Sequence, residues 1–241
     1  MIIIPARLNS SRFENKILVD IMGLPMVIKT AKQVSSLDKV VIATDSQEVI
    51  SLAQEHGFDA VMTSSEHQSG TDRINEAVNK LNLDDDEIII NVQADEPFIE
   101  EEVIKAVIQR VEKVKEKHED IMITSCYKSI SSELADDSNH VKVVLDEKKN
   151  AIYFSRAKVP YHRDHYENSK YYGHLGIYGF TKKSLNEFCK LNPSSLENIE
   201  KLEQLRAIDN GHKIAMVEVQ SKSFGIDTQE DLENALKIFN K

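Results

Sequence analysis

Short runs of β-branched residues alternate with amphipathic helical stretches along the first half of this 241-residue chain. Compact apolar runs of this kind are typical of strands that are buried on both faces. Strand–helix–strand alternation predicts a mostly parallel sheet with helices on both sides. The predicted strands cover residues 2–4, 39–43 and 87–92, and the predicted helices cover residues 25–34, 47–56, 71–81 and 100–117.

The second half of the chain predicts strands of mixed direction. Residues 141–145 and 151–155 flank a polar turn and predict a hairpin, and residues 171–180 predict another strand. Residues 214–219 predict a last strand, and a helix is expected to follow it from Thr228, the predicted N-cap, to Phe239.

One more helix is predicted from apolar residues at helical spacing before Gly211, namely Leu196, Ile199, Leu202, Leu205 and Ile208. Together these elements predict an α/β fold with a Rossmann-like, mostly parallel central sheet that is flanked by helices. We expect a single domain over residues 1–241, with a smaller mixed-strand lobe inserted at about 125–185.

The overall charge limits the partners that the chain can have. A formal net charge of −10 argues against nucleic-acid binding, because phosphate backbones need a basic surface. No apolar run approaches the roughly 20 residues that a membrane-spanning helix needs. Cys126 and Cys189 lie far apart and form no metal-binding spacing, which favours reduced thiols. We therefore expect a soluble, cytoplasmic protein.

Three cations lie in one polar loop directly after the first predicted strand. They are Arg7, Arg12 and Lys16, within the segment that begins at Pro5 and Ala6. In doubly wound sheets, ligands bind beyond the carboxyl ends of the strands, and the loop after the first strand is favoured for phosphates. Three fixed cations suit a triphosphate whose pyrophosphate departs. A solvated basic loop is the alternative, and the loop alone leaves both interpretations open.

Two acidic segments could hold a hard cation. Asp95 and Glu96 close a predicted buried strand, and carboxylate oxygens at such an edge suit Mg²⁺. Asp227 follows Gly225 just before the last predicted helix and could supply a second carboxylate. Each segment also has a simpler interpretation, because acidic residues solubilise loops and cap helices.

Two further groups of polar residues could contact a substrate. Residues 67–73, which read HQSGTDR, enter a predicted helix and could contact a base edge or could merely cap the helix. In the second half, His174 and Tyr178 lie on one face of a predicted strand that contains three glycines. A buried core histidine is the alternative interpretation of His174.

Taken together, these motifs resemble the 3-deoxy-manno-octulosonate cytidylyltransferase family, the CMP-Kdo synthetases of lipopolysaccharide assembly. The resemblance runs in register from residue 2 to beyond residue 230 and therefore covers essentially the whole chain. The matching segments are IIIPARLNSSRFENK, HQSGTDR, NVQADEPFI, VKVVLDEKKNAIYFSRAKVP, GHLGIYGF, LEQLRA and GIDTQEDL.

The resemblance implies Mg²⁺-dependent transfer of CMP from CTP to the acidic sugar Kdo, with release of pyrophosphate. It also implies a homodimer that is built through the lobe, which would bind the sugar as well. The residues implied to bind CTP are Pro5, Ala6, Arg7, Arg12, Lys16, Ser69, Gly70 and Arg73. Asp95 and Asp227 would hold magnesium and, with Lys16, would be catalytic. The implied sugar-binding residues are Gln93, Arg156, Arg163, His174, Tyr178 and Glu203.

The chain departs from the family pattern at two points. The basic loop of the family usually has Pro-Gly before its lysine, where this chain has Glu14 and Asn15. Ala94 stands where the family has glycine beside the metal ligand. Neither departure removes a charged functional group. Two alternatives also remain open: a cytidylyltransferase for another acidic sugar, such as an amino-Kdo or a nonulosonate, and a non-catalytic nucleotide-binding module.

Overall fold

A computed structural model describes residues 1–8, 13, 15–164 and 170–239 of the chain. The chain divides into two compact units. The first unit comprises Met1–Lys105, Thr181–Lys183 and Ser221–Lys241, and the second comprises Ala106–Phe180 and Ser184–Gln220. The single domain with an inserted lobe at about 125–185 stays a prediction.

The strands are β1 (Ile2–Ala6), β2 (Asp20–Ile21), β3 (Leu24–Pro25), β4 (Val40–Thr44), β5 (Asp59–Met62), β6 (Ile88–Asn91), β7 (Ile123–Ile130), β8 (Lys142–Leu145), β9 (Ala151–Ser155), β10 (Tyr171–Thr181) and β11 (Ile214–Glu218). The helices are α1 (Met26–Val34), α2 (Gln47–Glu55), α3 (Gly70–Lys80), α4 (Glu101–Glu116), α5 (Ser132–Asp136), α6 (Lys182–Lys190), α7 (Ser195–Glu200), α8 (Leu205–Asp209) and α9 (Gln229–Phe239), with a 3-10 turn at Lys16–Leu18. None of the helices in the described ranges is long and apolar enough to cross a membrane.

A parallel sheet forms the centre of the first unit, with the strand order β6-β1-β4-β5. Every residue of β1 and of β4 is buried, as expected for strands that are covered on both faces. The chain proceeds from β1 to β4 and β5 on one side, then returns to place β6 on the other side of β1. The strand order therefore reverses between β1 and β6, and such switch points open the crevices in which α/β proteins bind ligands.

The second unit contains strands of both directions. β7 runs parallel to β11 and antiparallel to β10, and the predicted hairpin is present as β8 and β9. β10 also carries a register irregularity between Leu175 and Tyr178. The predicted α/β class with a mostly parallel sheet is confirmed, and in the first half of the chain the antiparallel pair β2-β3 forms a separate two-stranded sheet.

The single helix predicted around Leu196–Ile208 is wrong. The segment forms two short helices, α7 and α8, because Lys201 adopts a left-handed conformation with φ 55° and ends the first of them. Ile199 is 74% exposed, whereas Leu202 and Leu205 are buried. The apolar spacing continues across the break, and spacing alone does not reveal a backbone reversal at a polar residue.

A small apolar cluster attaches the C-terminal helix to the first unit. Ile21 and Met26, near the start of α1, pack with Ile226, Leu232 and Ala235 around α9. All five side chains are buried, and full burial of a large aliphatic side chain stabilises a fold by about 1.5–3 kcal/mol. This packing places the segment before α9 next to the loop that follows β1.

Candidate active site

A pocket opens beyond the carboxyl ends of the parallel strands of the first unit. Three of its walls begin where strands end: Arg7 follows β1, Asp95 follows β6, and the loop after β5 leads to Gly70 of α3. This is the crevice that the reversed strand order predicts. The lining residues are Pro5, Arg7, Lys16, Ile17, His67, Gln68, Ser69, Gly70, Arg73, Gln93, Ala94, Asp95 and Asp227.

Most of the residues predicted to bind CTP and magnesium meet in this pocket. Among the predicted CTP residues, Ala6 is instead a buried strand residue, and Arg12 lies outside the described residues. Gln93, predicted to contact the sugar, also lines the pocket. The predicted residues that line it together are Pro5, Arg7, Lys16, Ser69, Gly70, Arg73, Gln93, Asp95 and Asp227.

The ammonium group of Lys16 joins the two predicted metal ligands. Its Nζ donates to Asp95 Oδ2 at 2.6 Å and to Asp227 Oδ1 at 2.8 Å. Burial alone would lower the pKa of Lys16, but the two neighbouring carboxylates outweigh it and raise the pKa. Lys16 is therefore charged at neutral pH, and the two carboxylates face one point at which a cation sits.

Asn15 gives the loop the turn that presents Lys16. It adopts the left-handed conformation, with φ 50° and ψ 31°, immediately before the 3-10 turn of Lys16–Leu18. Glycine is the residue that most readily adopts this conformation, and asparagine is among the few others that are enriched there. Asn15 thus replaces the family's glycine with a residue suited to the same backbone geometry. Glu14 lies outside the described residues.

Two chain segments run side by side to place Asp227 opposite Asp95. The Ile226 amide donates to the Asp95 carbonyl oxygen at 2.9 Å, and the Ser223 hydroxyl donates to Glu96 at 2.6 Å. Farther along, Glu100 accepts from the Ser221 hydroxyl and from the Lys222 amide. The carboxylate of Glu96 is therefore a structural anchor, whereas that of Asp95 faces the pocket.

Arg73 lines the pocket, and its buried side chain also forms hydrogen bonds to neighbouring segments. Its side chain is 2% exposed, and Nη1 donates to Thr63 Oγ1 while Nη2 donates to Asp45 Oδ2. Asp45 also accepts the Leu8 amide at 3.4 Å, so that one carboxylate links α3 to the start of the basic loop. Residues that lie after β4 and β5 thus support the predicted nucleotide site.

The N-terminus of α3 packs closely against the end of β1. Ser69 caps the helix by accepting the Asp72 amide, which is the simpler of the two sequence interpretations. A Cβ atom at Gly70 would lie 3.2 Å from Pro5 Cγ, a tighter contact than most side chains make. Glycine therefore lets the helix terminus, with its partial positive charge, approach the pocket.

His174 of the second unit is held in one neutral tautomer. The Ser125 hydroxyl donates to the Ile177 carbonyl at 2.8 Å, so it accepts from His174 Nε2 at 2.9 Å. The hydrogen is thereby assigned to Nε2, and Nδ1 accepts from the Gln204 amide at 3.5 Å. Burial lowers the pKa of His174 to about 3.

Tyr178 continues this network. Its hydroxyl donates to Gln204 Oε1 at 3.2 Å, and the rings of His174 and Tyr178 lie 5.5 Å apart. Burial and the charge of Glu203 raise the pKa of Tyr178, which therefore stays protonated. Glu203 Oε1 lies 3.7 Å from Arg206 Nη2. Three predicted sugar residues thus lie in one neighbourhood of the second unit.

The two predicted sugar-binding arginines differ in environment. Arg156 donates through Nε to the Glu200 carbonyl and through Nη1 to the Ser138 carbonyl, which fixes its side chain on α7. Arg163 is 90% exposed and lies 4.0 Å from Asp164, at the edge of residues 165–169, which lie outside the described ranges. The Arg163 side chain therefore does not join the His174 network.

Sequence reasoning missed several residues that shape both sites. Asp45 follows a predicted parallel strand, so its position at the carboxyl edge could have been inferred. His67 and Gln68 were noted within a motif but were not assigned to the pocket that they line. Gln204 lies within the matching segment LEQLRA but was given no role, and Ser125 lies in none of the matching segments, because both act through hydrogen bonds to strand β10.

The lowered pKa of His174 has a measurable consequence. In ring-nitrogen NMR of histidine-labelled protein, we expect His174 to keep the neutral Nε2–H pattern from pH 8 to pH 5, because its pKa is about 3. Free imidazole in the same sample reports the pH. In the unfolded chain the His174 ring takes up a proton near pH 6.5, whereas in the folded protein it stays neutral there. Its contribution to the free energy of unfolding is therefore complete above pH 6.5 and declines as the pH falls below that value. A ring that titrates near pH 6.5 in the folded protein would contradict the buried, neutral assignment.

Comparison with known proteins agrees with this geometry. A family model described as cytidylyltransferase matches residues 1–214. Proteins named 3-deoxy-manno-octulosonate cytidylyltransferase, from Nitratiruptor sp. and Wolinella succinogenes, are 56% and 50% identical and cover 97% and 99% of this chain, over 97% and 99% of their own lengths. A solved structure of CMP:2-keto-3-deoxy-manno-octonic acid synthetase complexed with CTP superposes with a TM-score of 0.89 at 36% identity, covering 99% of this chain and 97% of that one. The chain belongs to the cytidylyltransferase family, and within it to the 3-deoxy-manno-octulosonate cytidylyltransferases.

Proposed function

We propose that this protein transfers CMP from CTP to the anomeric hydroxyl of Kdo, giving CMP-Kdo and pyrophosphate for lipopolysaccharide synthesis. The observation that carries the proposal is the pocket of the first unit, where Arg7 and Lys16 lie beside the paired carboxylates of Asp95 and Asp227. The names of relatives that share about half of their residues with this chain support the choice of sugar.

The reaction is an in-line displacement at phosphorus. The anomeric oxygen of the sugar forms a bond to the α-phosphorus of CTP, and the bond from that phosphorus to the bridging oxygen breaks. Pyrophosphate leaves with the electron pair, and the hydroxyl proton passes to solvent. Negative charge grows on the departing oxygens, so catalysis depends chiefly on positioning the reactants and on fixed positive charge.

Asp95 and Asp227 fit a magnesium site. Both carboxylates contact a single cation, the Lys16 ammonium, so both oxygens already face one positive centre. No cluster of three or more such ligands exists in the part of the chain that the structure describes. Mg²⁺ commonly takes one or two carboxylates and completes its shell with water and substrate phosphates. When bound, it would polarise the α-phosphate and lower the pKa of the attacking hydroxyl.

Lys16 would be available to the triphosphate if Asp95 and Asp227 held a metal instead of its ammonium group. Because the pKa of Lys16 is raised, its side chain is a fully charged ammonium group, and that side chain is partly buried. Arg7 adds a second cation to the pocket, and we propose the same role for Arg12 from the sequence. Together these groups stabilise the pyrophosphate as it leaves, which is the role of preorganised charge in phosphoryl transfer.

The cytidine is held at the start of α3. Ser69 and Gly70 supply the helix N-terminus, and Pro5 and Ala6 supply the end of the adjacent strand. Arg73 presents a guanidinium group that Thr63 and Asp45 hold in place, so it contacts the nucleotide with little loss of side-chain freedom.

Gln93 lines the pocket of the first unit, and the other residues predicted to bind the sugar belong to the second unit. An arginine opposite the sugar carboxylate, supplied by Arg156 or Arg163, would explain the selection of an acidic sugar through a bidentate pair. His174 and Tyr178 offer neutral groups for sugar hydroxyls, and Glu203 adds an acceptor. The ring of His174 is uncharged and is hydrogen-bonded to Ser125 and Gln204, so it holds Gln204 in place without competing for the sugar carboxylate.

A substrate panel tests the proposal. We expect pyrophosphate release from CTP and Mg²⁺ with Kdo, and much less with UTP or after chelation of the metal. The other acidic sugars in the panel are 8-amino-Kdo and N-acetylneuraminate. Release with one of these but not with Kdo would show that the sugar is wrongly assigned. CTP binding by calorimetry without release from any sugar would instead identify a nucleotide-binding module.

Substitutions in the charged pocket test the residue roles. Asp95→Asn and Asp227→Asn should each lower turnover by roughly 100-fold or more, because each removes a ligand for the reacting-centre metal. Lys16→Met should lower turnover by a similar order, since it removes charge opposite the leaving group. Asp59→Asn is the control, because Asp59 forms only a surface pair with Lys39. Pyrophosphate release near the parent rate in any of the three pocket variants would contradict its assigned role.

The protein acts as a homodimer in the cytoplasm, where CTP is available. Exposed apolar side chains of the second unit support the dimer. Ile152 is 53% exposed and Ile199 is 74% exposed, and their chain neighbours Tyr153 and Glu200 contact each other. Exposed apolar surface of this kind is typical of protein–protein contacts.

Light scattering tests the dimer. We expect twice the chain mass for the parent and one chain mass for Ile199→Asp, because a charge at a desolvated apolar contact opposes association. Ile238→Asp is the control, because Ile238 is an exposed residue of α9 in the first unit. This variant should leave the mass unchanged. A monomeric parent at micromolar concentration would overturn the proposed dimer.

A further inference from the structure

The loop between β5 and α3 forms one wall of the pocket. His67, Gln68 and Ser69 all line it, directly before the helix terminus at Gly70. The loop spans residues 63–69, and its first residue is tied to β4 by the Thr63 amide, which donates to the Thr44 carbonyl at 2.7 Å. What holds the rest of the loop against α3 determines the shape of this wall.

The carboxylate of Glu76, on the second turn of α3, accepts hydrogen bonds from two donors of the loop. Glu76 Oε2 accepts the Ser64 amide at 2.8 Å and also accepts a short hydrogen bond from His67 Nε2. Its other oxygen, Oε1, pairs with Lys80 Nζ at 2.7 Å on the solvent side. Glu76 itself is not one of the described residues that line the pocket.

The charge on Glu76 fixes the direction of its hydrogen bonds to the loop. Burial alone would raise the pKa of Glu76, but hydrogen bonds from Lys80, the Ser64 amide and His67 lower it to about 2. The carboxylate is therefore ionised at neutral pH and can only accept hydrogen bonds. His67 must then donate from Nε2, which fixes the plane in which its ring lies.

We infer that Glu76 is a positioning residue for the nucleotide, which acts by holding His67 and the Ser64 backbone so that loop 63–69 keeps its pocket-lining form. The inference rests on the proposed function, because it takes the ligand of this pocket to be CTP. Charge-assisted hydrogen bonds are stronger than neutral ones, so loss of the carboxylate releases the loop more than loss of a neutral contact would. The loop must then be ordered anew each time that CTP binds, which weakens binding and leaves the reacting groups unchanged.

The test compares Glu76→Ala, Glu76→Gln and Lys80→Met. For Glu76→Ala we expect the KM for CTP to rise about 10-fold, with kcat within about threefold and the KM for Kdo unchanged, because uniform binding is lost. Glu76→Gln keeps an acceptor for the Ser64 amide and should give a smaller rise. Lys80→Met loses the ion pair to the same carboxylate and a hydrogen bond to the Met62 carbonyl, which precedes the loop, but no hydrogen bond or ion pair to residues 63–69, all of which the structure describes. Its KM for CTP should therefore stay within about twofold of the parent.

Each outcome decides the question. Melting temperatures establish that the variants are folded. If Glu76→Ala does not fold, the KM for CTP of Glu76→Gln is the value that tests the positioning role. An unchanged KM for CTP in the Glu76 variants, an equal rise in Lys80→Met, or a loss confined to kcat would overturn the positioning role. If the parent turns over none of the sugars, the calorimetric Kd for CTP is compared across the same variants. Failure of the parent to bind CTP at all would instead overturn the proposed function and this inference with it.

Discussion

The contact of one ammonium group with two carboxylates is the constraint on which the candidate site depends. Lys16 is 79 residues from Asp95 and 211 residues from Asp227, yet its Nζ lies within 2.8 Å of both. Two carboxylates that face one point repel each other unless a cation lies between them. The Lys16 ammonium supplies that cation within the chain itself, so the two carboxylates stay close together with their mutual repulsion reduced.

The two units differ in the chemistry that they offer. The first unit collects full charges on loops at the end of a parallel sheet, where phosphates and a divalent cation can be bound. The second unit presents a neutral chain of hydrogen bonds that runs from Tyr178 through Gln204 and His174 to Ser125. Burial keeps His174 deprotonated and Tyr178 protonated, so this chain holds the same hydrogen positions over a wide pH range.

The sequence predicted those features that depend on local pattern. Buried parallel strands appear as β-branched runs, and strand ends mark the edge at which Arg7 and Asp95 lie. The strand β5 was missed because its apolar run covers only residues 60–62 and both of its end residues are exposed. The break at Lys201 was missed because a single left-handed residue leaves the apolar spacing intact.

Pairings between distant residues could not be read from the sequence. Charge alone suggested that Lys16 faces phosphate and that Asp95 faces metal, but not that the two contact each other. The support given by Asp45 to Arg73, and by Glu76 to His67, depends on which faces of α3 and of its neighbouring loops come together. A residue that acts through another side chain leaves no motif of its own, whereas a residue that contacts a ligand often does.

The segment from Ser221 to Asp227 is held in place by packing of Ile226 and by hydrogen bonds to Asp95, Glu96 and Glu100, which lie more than a hundred residues earlier in the chain. During synthesis, the parallel sheet and Lys16 are therefore present long before their second carboxylate emerges. A ribosome that stalls before residue 221 leaves a nascent chain that has most of its apolar core but lacks Asp227, so that Lys16 has only Asp95 as a partner of this pair. Translation of this late segment therefore completes the charged cluster only after the strands of the sheet have been made.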